Sequence, residues 1–417
     1  VAKVPREKAS LNKKIVGGLS AVAGGAESPA CAAHRSHAMS WQNVDWQEFP
    51  CPYSQPAKCA ALRPQDARRK TNGVGTMTAK HRPNRRAGTR YAIVLAAFGC
   101  LAGALPAAAA DFVMKLGTAT MNEGQHQFLK FYKEELEKAS GGRIEVQIYP
   151  NSQLGPIPRE IEGVQLGSIQ GYIGPVDFFV GVDPRFGVFS TPMLFRDDAN
   201  AAATVQSPAI QKAMFDLVAP KRMVGVATMN LGASDYGAKK PIMQLADFSG
   251  KKLRINGTEL ERQKMAKLGA SGVGMPLSEV VPALDQGTID GTISGISVFV
   301  AFKMNDLIKT LTITNDTYIN SIVVVSKAWL DTLPPDLQKM VTDTAVPVQA
   351  KAQSWEFEFN KKLEGDWVAL GGNVQRFSAD DQAKLKTLLA PVGDEATKGQ
   401  PAVHDMLEMV RAAAAKN

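Results

Sequence analysis

From Asp111 onward the apolar residues recur with two alternating periods. Val113, Lys115 and the residues to Thr118 alternate as a first strand, and Gln125 to Ala139 follows with Phe128, Leu129, Tyr132 and Leu136 at helical spacing. Ser140-Gly141-Gly142 stops that helix, and Ile144, Val146 and Ile148 alternate again as a second strand. A strand-helix-strand opening predicts a right-handed crossover and parallel pairing. Arg159 to Leu166 reads as a further helix, and the run IQGYIG as the end of a third strand. Later, NSIVVVS is a strand, and Pro334-Pro335 opens a helical pattern, since a missing N–H costs nothing at a helix start. That pattern persists from Asp336 to Leu370, with a kink expected at Pro347. Two more helices, ADDQAKLKTLLAPV and AVHDMLEMVRAAAA, follow Ser378. The class is α/β.

Residues 250–295 carry the densest signal, reading as strand, helix, strand, helix, strand. Leu253 and Ile255 flank Arg254 at period two, which turns the guanidinium to the face opposite the two apolar side chains. Thr258 and Glu261 have the spacing of a capping box, so a helix begins there and closes at Gly269. The residues around Met275 are extended, and Ser278 is expected to cap a second helix that runs through Leu284 and ends at Gly287. Arg254 thus stands at a strand's carboxyl end beside a helix N-terminus. Open α/β sheets bind ligands at that place, and both groups attract anions.

Charge narrows the partner only after it is divided by region. Of the 48 Lys and Arg, 16 lie in residues 1–110, against 5 of the 40 Asp and Glu; the other 32 basic and 35 acidic residues give the remainder a net charge of −3. The overall +8 therefore belongs to the leader, and the body gives no sign of a nucleic-acid partner. All four cysteines, Cys31, Cys51, Cys59 and Cys100, also lie in that leader. A body without cysteine folds in an oxidising compartment without mispairing. Their spacing with His34 and His37 matches no zinc pattern, so no metal is expected. Residues 77–110 read as a secretory signal peptide: a basic segment, an apolar run from Tyr91 to Leu105, and small residues Ala108-Ala109-Ala110. Cleavage near Ala110 and a periplasmic location are expected. Residues 1–76, without helical or strand rhythm, are expected to be a non-native or disordered extension.

Several of these runs share order and wording with one family. GKKLRIN, then KLGASGVGMPLSEVVPALDQGTIDGTISG, and earlier SGGRIEVQIYPNSQLG, IEGVQLGSIQ and FGVFSTPMLFRDDANA stand in sequence with almost no gaps. Together they resemble the DctP-type extracytoplasmic solute-binding proteins of tripartite ATP-independent periplasmic (TRAP) transporters. The resemblance implies a two-domain periplasmic binding protein fold with a cleft between the domains and a long helix spanning both. It places domain one at 111–231 plus 320–358, and domain two at 232–319 plus 359–417. It also implies a small-molecule organic acid as ligand, delivery to a small and a large membrane subunit, and no cofactor.

The same resemblance puts the ligand's carboxylate on Arg254, whose planar fork offers two charge-assisted hydrogen bonds that lysine cannot reproduce. Leu277 matches a site position that is usually Phe. Asn256 and Thr258 follow Arg254 and offer polar groups, although Thr258 is equally a helix cap. Ser234 stands where the family commonly has a second arginine, and Ser294 lies in DGTISG, where the family has DGQENP. Tyr236 is a near neighbour in sequence. Asn122, with Thr118 and Glu123, follows the first strand, while Pro175, Val176 and Phe178 follow the third; both loops are expected to face the cleft. Phe178 reads equally as a lid on the ligand or as core. These departures remove charge and amide groups but keep one arginine, which points to an aromatic or apolar monocarboxylate.

No nucleophile elbow, zinc-helix motif or glycine-rich phosphate loop occurs in the body, and His126 and His404 sit in helical patterns without a partner. An enzyme is not expected. A ligand-binding component of a sensory system is the alternative that the same fold would serve, and a secreted enzyme on this scaffold the more distant one.

Overall fold

The computed structural model describes residues 110–417, so the leader, its cysteines and the apolar run lie outside the described residues. The chain opens with β1 (Phe112–Gly117), α1 (Gly124–Ala139), β2 (Ile144–Tyr149), α2 (Ile157–Leu166) and β3 (Gly171–Pro175). Two 3-10 segments, Val176–Gly181 and Pro184–Ser190, lead to α3 (Asp198–Val205), α4 (Pro208–Val218) and the long strand β4 (Met223–Ala233). β5 (Asp235–Ala238) follows almost at once, then β6 (Lys252–Ile255), α5 (Glu259–Lys267), β7 (Ser271–Gly274), β8 (Gly291–Ser294) and β9 (Thr310–Ile313). β10 (Tyr318–Ser326) returns, and α6 (Pro335–Ala369), β11 (Asn373–Arg376), α7 (Ala379–Leu389) and α8 (Pro401–Lys416) complete the chain.

The strands form two sheets. The first has the order β2-β1-β3-β10-β4, and the second β11-β9-β5-β8-β6-β7. β1 pairs parallel with β2 from Phe112 opposite Ile144 to Gly117 opposite Tyr149, as the strand-helix-strand reading predicts. In the first sheet β10 runs antiparallel to both of its neighbours. The chain therefore crosses between sheets where β4 passes into β5 and again where β9 passes into β10. Along β10, Ile322 and Val324 pack into one apolar cluster while Val323 and Val325 pack into another, so this sheet is covered on both faces.

α6 is a third link between the sheets. Its 35 residues span about 52 Å at 1.5 Å per residue. Leu337, Val341, Ala345, Val348 and Ala352 pack on the first sheet, whereas Trp367 is fully buried in the core of the second. The helix continues unbroken through Pro347, where a kink is expected from sequence. No described helix is long and apolar enough to cross a membrane.

Other details depart from the sequence reading. Ser278 caps nothing; it lies inside a 3-10 turn, Leu277–Glu279, that runs on into the helix Val280–Asp285. β11 and the short helix Val392–Thr397 have no counterpart in the reading of the tail. The expected boundaries put 401–416 with the second sheet. Instead Val403, Met406, Leu407 and Val410 of α8 share a core with Val188 and Phe189, on the first sheet's side.

Candidate functional site

A cavity of about 40 Å³ lies between the two sheets. The first sheet's side supplies Thr120, Glu123, Ile157 and Phe178, and the second Ser234, Arg254, Asn256, Leu277, Ser294 and Ser297. Eight of the residues singled out from sequence therefore meet there: Arg254, Asn256, Leu277, Ser234, Ser294, Glu123, Pro175 and Phe178.

Arg254 is the charged anchor of this wall. Leu253 and Ile255 are fully buried in the second sheet's core, and alternation sends Arg254 the other way, into the cavity. Only 2% of Arg254 is exposed. Its Nε donates to the Met275 carbonyl at 3.0 Å and its Nη1 to the Ile293 carbonyl at 3.4 Å. Those carbonyls lie just past β7 and within β8, so the strands beside β6 hold the fork in place. The guanidinium carbon stands 5.8 Å from the centre of the Phe178 ring. Burial pushes its pKa down to about 10, against the opposing pull of Glu261 and Asp177, so it stays cationic at neutral pH. Among the described residues no carboxylate pairs with it within salt-bridge distance. A buried cation without a paired anion is costly.

The helix N-terminus beside Arg254 does less than expected. Thr258 accepts the Glu261 N–H at 3.0 Å, and Glu261 accepts the backbone N–H groups of Asn256, Gly257 and Thr258 at 3.2, 2.9 and 3.0 Å. The capping box is complete, and these donors already hold a carboxylate. Thr258 is accordingly a cap and does not line the cavity. Tyr236 is also elsewhere: its ring is fully buried against Phe248, and its hydroxyl donates to Asp316 at 3.1 Å. Asn122 is exposed, in a left-handed turn with φ of 58°.

Glu123, the next residue, does border the cavity. It is 1% exposed, caps α1 by accepting from the Gln125 and His126 N–H groups at 3.1 and 3.0 Å, and accepts from the Thr120 hydroxyl. Burial pushes its carboxyl up, and those three hydrogen bonds pull it back. Gln125, Ser297 and Val298 also line the cavity without having been singled out in the sequence. Ser297 and Val298 lie in the short helix after β8, and an alternation pattern carries no signal for a wall built after the strand has ended.

Residues 117–400 match the family model for bacterial extracellular solute-binding protein, family 7, known as DctP. The chain belongs to this family. It is 31% identical over 267 residues to the C4-dicarboxylate-binding periplasmic protein DctP of Rhodobacter capsulatus, covering 63% of this chain and 80% of that one. Two solved TRAP periplasmic solute-binding proteins share the fold of this family 7 chain. That of Desulfovibrio salexigens, with bound orotic acid, superposes with a TM-score of 0.68 at 23% identity, covering 73% of this chain and 99% of that chain. That of Shewanella oneidensis, with bound succinate, gives the same four values. Family 7 is a family of extracytoplasmic receptors rather than of enzymes, and its two-domain architecture is the one described above.

Proposed function

We propose that the protein captures an organic carboxylate between its two sheets and hands it to the small and large membrane subunits of a TRAP transporter. The observation that carries this reading is Arg254, a buried guanidinium held by two carbonyls and facing the cavity, with no carboxylate within salt-bridge distance of it among the described residues. An incoming carboxylate supplies the missing anion, in a site closed enough for the charge pair to be strong. Asn256, Ser234, Ser294 and Leu277 line the same pocket, and Phe178 covers the guanidinium from the first sheet's side. The lobes follow the two sheets, 111–231 plus 320–358 against 232–319 plus 359–400, with α8 assigned to the first. Export with cleavage near Ala110 places the receptor in the periplasm.

The ligand is a compact monocarboxylate with an apolar or aromatic body. Glu123 already contributes a buried acid, which argues against a second carboxylate on the ligand. The walls add Ile157, Phe178, Leu277, Ile293 and Val298. Orotic acid in the Desulfovibrio salexigens relative is one aromatic acid held by this fold.

A thermal-shift screen of the full chain against aliphatic, hydroxylated and aromatic carboxylates tests the reading. A ligand at a hundredfold excess over its Kd stabilises the native state by about 2.7 kcal/mol, a shift of several degrees. Hits among small apolar or aromatic monocarboxylates support it; hits confined to sugar acids or to non-acids overturn the ligand class.

A further inference from the structure

A second cavity, of about 130 Å³, lies where the chain crosses between the sheets, against α6. Its polar wall is made of Asp198, Asp235, Asn315, Asn360 and Glu364. Asp198 comes from the first turn of α3, Asp235 from the start of β5, Asn315 from the crossing between β9 and β10, and Asn360 and Glu364 from α6. Three separate oxygens here are buried without a hydrogen-bond partner: Asp198 Oδ1, Asp235 Oδ1 and Asn360 Oδ1. Asp235 is only 3% exposed, so its carboxylate has no bulk water to fall back on.

The wall is rich in acceptors and poor in donors. The Asn360 amide nitrogen points at the Leu231 carbonyl, 3.4 Å away, which leaves its oxygen for the cavity. Gly232, at φ of 95°, allows this close approach: a Cβ there would stand 2.8 Å from Asn360 Nδ2 and 3.8 Å from Asp198 Oδ1. Among the described residues no lysine or arginine lines the cavity. The nearby Arg376 is engaged by Glu364, and Lys361 and Lys362 pair with Glu358 and Asp366. Burial and the charges of Asp316, Glu364 and Asp198 all push the Asp235 carboxyl well above the usual aspartate range. Such a group needs a proton or a cation. Water can donate to these oxygens but cannot offset their charge.

We propose that this cavity is a binding site for a calcium-sized divalent cation, coordinated by Asp198, Asp235 and Asn360 with water completing the shell. The donors are all carboxylate or amide oxygens, the set that hard cations prefer over transition metals. The space holds about ten waters at roughly 10–15 Å³ each, ample for a partly hydrated ion. Because the ligands come from α3, β5 and α6, the ion ties together segments on both sides of a sheet crossing. It stands apart from the carboxylate site and does not depend on that ligand. The exposed group Asp394, His404 and Glu408 is a weaker candidate, because Arg411 already pairs with both of its acids.

The test is calorimetric and thermal titration of the full chain, stripped with chelator and free of organic acids, with CaCl2, MgCl2 and NaCl at matched ionic strength. One saturable Ca2+ site per chain is expected, with a melting temperature that rises with Ca2+ and rises less with Mg2+. Asp235→Asn weakens the Ca2+ response by about tenfold or more, since affinity follows ligand charge. Asp198→Asn does the same, which guards against a folding defect in either variant alone, and Asp394→Ala leaves the response intact. No saturable Ca2+ binding, a response that survives both aspartate variants, or one lost in Asp394→Ala overturns the assignment. A Mg2+ response equal to that of Ca2+ overturns the ion's size.

Discussion

Asn256 donates its side-chain amide to Asp177 at 2.8 Å, joining the loop after β6 to the segment after β3 across the cleft. Asn256 belongs to the Arg254 wall, and Asp177 stands one residue before Phe178. The same contact therefore holds the two walls of the carboxylate site against each other.

That link weakens as the pH rises. Burial, and then the charge of Glu261, raise the Asp177 carboxyl to about 7. The ionised form is thus disfavoured when the cleft is closed, relative to an unfolded or open reference near 4. The stability this site contributes is fully present below about pH 4 and is lost as the pH rises through about 7. Asp177→Asn, which cannot ionise, should flatten the curve. Its melting temperature, measured against wild type from pH 4 to 7.5, should gain on wild type as the pH rises. Parallel curves over that range would remove Asp177 from the account.

A buried ion pair fixes the crossing between β9 and β10. Lys264 Nζ lies 3.1 Å from Asp316 Oδ2, and the two side chains are 1% and 0% exposed. Thr317 accepts from the same ammonium at 3.0 Å, and Tyr236 donates to the same carboxylate at 3.1 Å. Removing one partner strands the other as a buried charge, at a cost of about 3–5 kcal/mol. Lys264→Met should show that loss in urea denaturation. A loss below about 1 kcal/mol would mean that water reaches Asp316 when the lysine is gone.

Ser234 and its neighbourhood should set ligand charge. It is 8% exposed and lines the cavity that holds Arg254. Ser234→Arg places a second guanidinium there and should shift preference toward dicarboxylates, with succinate gaining at least tenfold on a monocarboxylate of similar size. Competition binding with the two acids measures the ratio, and an unchanged ratio would show that position 234 does not face the ligand.

Much of this was legible along the chain, for identifiable reasons. Arg254 could be placed because strand alternation and the adjacent capping box are both local signals, and Thr258 with Glu261 forms that box. The long helix announced itself through Pro334-Pro335 and an unbroken periodic run. Tyr236 was misplaced because β5 is only four residues long and its ring turns to the core to reach Asp316, a partner 80 residues away. Of the loop after β1, expected as a whole to face the cleft, Asn122 is exposed in a left-handed turn while Glu123, the neighbouring cap, faces the cavity. The docking of α8 on the first sheet follows from apolar surface left open by Val188 and Phe189. No periodicity within 401–416 tells which sheet receives it.

The most direct test of the carboxylate site is isothermal titration of the best acid from the screen into wild type, Arg254→Lys and Arg254→Ala. Truncating one side of a buried, hydrogen-bonded charge pair costs about 2–5 kcal/mol, so Arg254→Ala should bind at least about 30-fold more weakly. Arg254→Lys keeps the charge but loses the fork, and should recover only part of that affinity. Affinity in Arg254→Ala within a factor of two of wild type, in a variant that still melts cooperatively, would contradict the claim that this arginine holds the ligand.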